Sequence, residues 1–379
     1  MQFASFKNKL THHLVNLPGW HTKRKIVVFE SDDWGSIRMP SRSIYEKLLK
    51  EGIRVDQLSY NRYDALASED DLKYLFEVLN SVNDINGNPA ILTANTVTAN
   101  PDFDKIYGCD FQEYHFESFT ETLKRYPNHQ KAFYIWLEGI EKGVFKPQFH
   151  GREHLNVNRW IRALRENIGK VRKAFDYHMF DLSTSLVISE NSFMETLNFE
   201  NKYELESQKI ALSQGLNLFE DIFGYRSETF IAPCYTWSNE LDEDLWHSGI
   251  KAYQGIWYQK EPLPGKEHRF KRHFHYTGQQ NKLGQIYLVR NLAFEPSENP
   301  KKDWINDVMG RMEITFRMKK PAIIGTHRAN FIGFIDPENR DRNLPMFREL
   351  LNRMLAKWPD IEFMSSDQLL NTITVSKSN

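Results

Sequence analysis

Asp32 and Asp33 stand side by side directly after an apolar run, KIVVFE, at positions 25–30. Adjacent carboxylates repel each other and help no core. One reading is local: an aspartate capping the next helix beside a turn aspartate. The other is chemical, with one carboxylate holding a metal ion and its neighbour taking a proton from the adjacent water. A second cluster is His150-Gly151-Arg152-Glu153-His154. Histidines at i and i+4 share a helix face, about 6 Å apart at Cβ, which suits joint capture of one cation. Such pairs arise by chance in a chain with 13 histidines. Position singles this one out, at the end of one expected strand and the start of a long helix. His12/His13 and His273/His275 also cluster, and read as solvent-facing or hairpin residues. A third segment, Thr229 to Tyr235, ends a strand at Pro233, where ladder pairing must stop. The fourth is Gly325-Thr326-His327-Arg328-Ala329-Asn330, a polar run directly after an apolar strand, in which His327 reads as lining a site.

These residues need a scaffold that brings four strand ends together. The chain has 379 residues, 49 Lys+Arg against 50 Asp+Glu, and 40% hydrophobic residues. It can bury a large core, and its balanced charge argues against nucleic acid or acidic membranes as partners. With only Cys109 and Cys234, a disulfide scaffold is excluded. No apolar run approaches the roughly 18 residues that span a bilayer. No unbroken apolar run of about 7–15 residues opens the chain as a signal peptide would, so the expectation is a cytoplasmic protein. Phe6, Leu10, Leu14 and Leu17 can line one face of a short helix docked on the domain.

Apolar, β-branched runs predict strands at 25–30, 89–94, 144–150, 229–232, 251–255, 285–290, 321–325 and 361–364. Helical patterns predict helices at 41–51, 155–174, 203–223, 299–318 and 345–358. Alternation of this kind means a parallel sheet. About seven or eight strands in one undivided chain predict an α/β fold, a distorted (β/α) barrel. Residues 1–24 form an extension and 25–375 a single domain. The domain carries a helical insertion at about 100–143 and a hairpin insertion at about 258–290, with its turn near Gly284. In a parallel barrel, catalytic groups sit at the strands' C-terminal ends, where all four clusters fall.

Asp-Asp, His-x-x-x-His, a strand-end Pro and a late strand-end His, in that order, resemble the polysaccharide deacetylase (NodB-homology) family, the fourth carbohydrate esterase family. The resemblance runs from about residue 25 to 370. It implies Asp32 as general base, Asp33, His150 and His154 as metal ligands, and His327 as general acid. Asp303-Trp304 resembles the family's fourth motif, although Asp303 equally suits a helix N-terminus. Two departures mark a divergent member. Ile231 stands where the family places the arginine that holds the base, which leaves Arg226, Arg290 and Arg328 as candidates. Trp34 displaces the glycine after Asp-Asp. The implied function is removal of acyl groups, acetyl above all, from N- or O-acylated carbohydrate. The implied cofactor is one divalent ion, zinc first, with cobalt or nickel as alternatives. Trp34, Pro233, Tyr235, Arg290 and Arg328 are the expected substrate contacts, and Trp237, Trp257 and Tyr258 add aromatic surface in the expected loops.

The zinc chemistry closes without the family, because two His and a carboxylate leave an open position for water. Two rivals use other residues. An inverted zinc peptidase would take Glu153 as base and Glu228 as third ligand. A barrel that has lost catalysis would bind carbohydrate only.

Overall fold

The computed structural model describes residues 12–180, 182, 193–265 and 269–378. Its strands are β1 (Lys25–Trp34), β2 (Leu92–Thr96), β3 (Ala99–Pro101), β4 (Phe116–Ser118), β5 (Phe145–Phe149), β6 (Thr229–Ile231), β7 (Ala252–Gly255), β8 (Tyr258–Pro262), β9 (Phe270–Phe274), β10 (Ile286–Val289), β11 (Leu292–Ala293), β12 (Ala322–His327) and β13 (Ile361–Phe363). The fold is α/β. One parallel sheet has the order β10-β7-β6-β5-β2-β1-β12-β11, and β13 pairs with the start of β1. The two ends of that order, β10 and β11, are consecutive in the chain, with only Arg290 and Asn291 between them. Arg290 N–H donates to the Gly255 carbonyl at 2.7 Å, and Asn291 N–H to that of Ile323 at 3.1 Å. A single segment thus leaves β7 and joins β12, and the ring of pairing returns on itself.

Side chains alternate across each strand, and the inward set changes character along its length. On β1 it runs Ile26, Val28, Glu30, Asp32; on β10 and beyond it runs Ile286, Leu288, Arg290. The apolar members form one buried cluster with Ala252, Ile323 and the C-terminal helix residues Leu369, Leu370 and Ile373. The polar members lie buried one layer further on. The outward set, Val27 and Phe29 among it, belongs to the main core under the helices. Burial on both faces explains why these strands read as continuous apolar runs.

Several boundaries differ from expectation. The helix expected at 155–174 is two, Val157–Arg165 and Gly169–Asp176, divided where Asn167 turns left-handed (φ 54°). The helix expected from 299 starts at Trp304, because Asp303 caps it by accepting from Asn306 N–H. The last long helix begins at Pro337, eight residues before expected, and holds Pro345 inside it. The hairpin is β8–β9, antiparallel over five residue pairs, and ends at Phe274. Gly284 (φ 83°) turns the chain into β10, which is a barrel strand parallel to β7. The alternation of Ile286 and Leu288 was therefore a barrel interior and not a hairpin face. The 100–143 insertion is helical apart from the short β3–β4 ladder.

Phe6 and Leu10 lie outside the described residues, while Leu14 and Leu17 are exposed. The segment docks through polar groups instead. His12, expected in solvent, is buried 3.3 Å from Thr315 Oγ1, and Asn16 Oδ1 accepts from Asn291 Nδ2 at 2.8 Å.

Candidate metal centre and acid–base pair

β1 carries both aspartates, and an undistorted strand would send them to opposite faces. The pairing of β1 with β2 slips between Ser31 and Trp34, and Asp33 there adopts φ 73°. This bulge re-aims the second carboxylate. His150 follows β5, and its Nδ1 donates to the Ile231 carbonyl at 2.8 Å. With Nδ1 so engaged, Nε2 is the ring nitrogen that faces Asp33 Oδ1, at 3.5 Å. His154 Nε2 lies 3.5 Å from the same oxygen. The two rings meet through the loop 150–156 rather than through one helix face. Asn156 caps the helix only afterwards, and Thr98 N–H ties the loop down by donating to the Arg152 carbonyl at 3.0 Å.

One ligand atom from each of Asp33, His150 and His154 lies within 4.8 Å of the others, and all three residues are buried. Burial pushes the His154 imidazole down to about 3, so it is neutral. Burial opposes ionisation of Asp33, but His150 beside it and the charges of Arg38 and His327 outweigh it and hold the carboxyl well below its usual range. His150 Nε2 is buried without a hydrogen-bond partner. Two imidazole nitrogens and a carboxylate oxygen converging on one point fit a divalent cation.

Asp32 is gripped from the opposite side. Arg290 forks onto it, Nη1 to Oδ2 at 2.7 Å and Nη2 to Oδ1 at 2.6 Å, and Asn95 Nδ2 donates to Oδ1 at 2.7 Å. The same guanidinium donates through Nε to Glu30 Oε2 at 2.7 Å, while Ser366 Oγ donates to Glu30 Oε1 at 2.8 Å. Arg290 thus fills the place left by Ile231, from a different strand. Burial raises the Asp32 pKa, but the charge and hydrogen bonds of Arg290 bring it below the usual value.

His327 lies beside Asp32 on β12, its Nε2 3.8 Å from Asp32 Oδ2. Its Nδ1 is 2.7 Å from Glu295 Oε1, and Asn330 Nδ2 holds the other Glu295 oxygen at 2.6 Å. Tyr60 meets the ring edge-on. Burial disfavours the imidazolium, but Glu295, Asp32 and Asp33 raise the pKa to about 10. Asp32 and His327 are thus pushed in opposite directions, one toward its anionic and the other toward its cationic form.

The expected substrate contacts divide. Trp34 is fully buried against Trp136 and Phe145, its Nε1 on Ser31 Oγ, and is a core residue. Arg328 is fully buried, forked onto Asp64 and donating to the Ser36 carbonyl, so it holds the loop after β1 and cannot meet substrate. Arg290 is committed to Asp32. Pro233 is buried and walls a separate cavity with Gly151 and Arg152. Tyr235 (φ 57°) lines a cavity of about 270 Å³ together with Trp257, Arg290, Glu295 and His327. Arg226 pairs with Glu220. Glu153 is forked onto Arg152 and Glu228 pairs with Lys251, which removes both from the peptidase arrangement.

Glu295, Asn95, Tyr60 and Arg38 escaped sequence reasoning. Arg38 lies 3.7 Å from Asp33 Oδ2 and 3.5 Å from Asp64 Oδ2. A glutamate closing the strand that precedes the histidine strand was the one available signal for Glu295.

No family model matches the sequence, and no curated protein sequence matches it. Solved structures do. Polysaccharide deacetylases are among them. A protein from Mycobacterium smegmatis described as a polysaccharide deacetylase is 10% identical, over 95% of this chain and 94% of that one, with a TM-score of 0.47. The Puue allantoinase is 10% identical, over 93% of this chain and 91% of that one, at 0.46. A 4-alpha-glucanotransferase from Thermococcus litoralis is 9% identical at 0.47, and this chain's 92% spans only 40% of that protein. Among the described residues, no helix is long and apolar enough to cross a membrane.

Proposed function

We propose that this chain is a metal-dependent deacylase that removes acetyl or related acyl groups from carbohydrate. One observation carries the reading: a buried Asp33–His150–His154 triplet adjoins an arginine-held carboxylate, Asp32, which has a glutamate-held histidine beside it. Asp33, His150 and His154 would hold a divalent cation, which would supply Lewis acidity toward an acyl carbonyl and a water. Asp32, kept anionic and fixed in direction by Arg290 and Asn95, takes the water's proton. His327, kept cationic by Glu295, gives its proton to the departing amine or hydroxyl oxygen. Arg290 and Glu295 thereby set opposite charge states on neighbouring groups, as acid–base hydrolysis needs. The carbohydrate substrate and zinc as the natural metal rest on the motif resemblance together with this donor set.

The test is metal analysis of the purified protein, followed by acetate release from N-acetylated and O-acetylated sugars after loading with zinc, cobalt or nickel. Stoichiometric metal and metal-dependent acetate release are expected. A protein that takes up none of the three ions overturns the reading. One that binds metal and releases no acetate from any acylated sugar overturns its substrate.

A further inference from the structure

The general acid divides the substrate. The acyl group must face the metal triplet, and the leaving amine, with the sugar that carries it, must face His327. On that side lies the cavity of about 270 Å³ lined by Tyr235, Trp257, Arg290, Glu295, His327 and Arg311. Trp257 directly precedes β8, and its side chain is 42% exposed. Its ring stacks on that of Phe274, with centroids 5.3 Å apart and an interplanar angle of 17°. Tyr258 braces it edge-on at 5.3 Å, and the Trp257 carbonyl accepts from His275 N–H at 3.0 Å. Phe274 is itself 61% exposed.

Two adjoining aromatic rings exposed beside a cavity form an apolar patch of the kind that marks a binding surface. The Trp257 ring is also held rigid from behind, so little entropy is lost when a ligand covers it. The cavity lining joins aromatic residues, Tyr235 and Trp257, with charged ones, Arg290, Glu295 and Arg311. A pyranose ring has the matching surfaces, an apolar C–H face and a hydroxyl rim.

We propose that Trp257, backed by Phe274, is a stacking platform for a sugar ring on the leaving-group side of the site. The substrate is accordingly an oligosaccharide or longer glycan, whose second unit rests on the β8–β9 hairpin. The placement of the amine toward His327 rests on the deacylation reading; the platform itself is tested by binding.

The experiment is isothermal titration calorimetry of the zinc-loaded protein with the tetrasaccharide of N-acetylglucosamine, for wild type, Trp257→Ala, Trp257→Phe and Phe274→Ala. Melting temperatures are recorded for all four. Trp257→Ala should bind about tenfold more weakly, Trp257→Phe within about threefold of wild type, and Phe274→Ala about threefold more weakly. No binding by wild type, unchanged affinity in Trp257→Ala, or equal losses in Trp257→Ala and Trp257→Phe would overturn the platform. If Trp257→Ala lowers the melting temperature, the exposed Phe274 decides the matter, and unchanged affinity in Phe274→Ala overturns it. Acetate release from the same tetrasaccharide is read separately. Binding that weakens as expected without any acetate release leaves the platform standing and removes the deacylation reading.

Discussion

Two neighbouring carboxylates meet different partners. Asp33 faces two imidazoles, whereas Asp32 faces a guanidinium. Replacing Asp33 with Asn should lower bound metal, since a neutral amide is a poorer ligand for a hard dication than a carboxylate. Asp32→Asn should keep the metal and lower turnover by roughly 10²–10⁴-fold, the usual worth of a positioned base. Metal analysis and acetate release on the two variants check the division, and metal retained by both would refute it. Glu295 supplies a second handle. Burial alone pushes a histidine down, so removing the Glu295 charge should lower the His327 pKa from about 10. In Glu295→Gln the basic limb of the pH–rate profile should move to lower pH by about 1–3 units, with the acidic limb nearly fixed. An unmoved basic limb would take the acid role from His327.

At the scale of elements, the site depends on strands meeting at their polar ends. Glu30, Asp32 and His327 lie on the paired strands β1 and β12, with Glu30 in register with Gly325 and Asp32 with His327. Gly325 is needed there because a Cβ would stand 2.7 Å from Arg290 Cδ. Arg290 is pinned to both Glu30 and Asp32, so it cannot yield without losing a bond. Gly325→Ala should therefore cut turnover by about 10²-fold while leaving the metal in place, the scale of loss that follows a misplacement near 1 Å. Arg290→Met is harsher. It leaves the buried Glu30 without a cation and Asp32 with His327 alone, and should cost about 3–5 kcal/mol of stability as well as activity. Denaturant unfolding and acetate release separate the two variants: Gly325→Ala should unfold much later than Arg290→Met.

For the molecule as a whole, closure of the ring sets where Arg290 stands. Asn291 makes that closure polar. Its Oδ1 accepts from Ile323 N–H at 2.9 Å, and its Nδ2 donates to the Pro321 carbonyl at 2.9 Å as well as to Asn16. Asn291→Leu should leave these groups unpaired at about 1–3 kcal/mol each, read as a lower midpoint in urea. A midpoint within error of wild type would mean that the segment holds without its side-chain bonds.

The sequence by itself marked the strands, the paired aspartates and the two histidines, because all are local patterns: continuous apolar runs, Asp-Asp, and His-x-x-x-His. It also placed His327, directly after an apolar strand. Tertiary structure decided what those residues touch. Arg290, on a segment first read as one leg of a hairpin, reaches Asp32 across 258 positions, and Glu295 reaches His327 across 32. Such partnerships depend on which strands close the ring, and no spacing in one chain encodes that. Trp34 and Arg328 show the converse. Their types suited a substrate pocket, but burial is set by the elements packed around a residue, and both went to the interior.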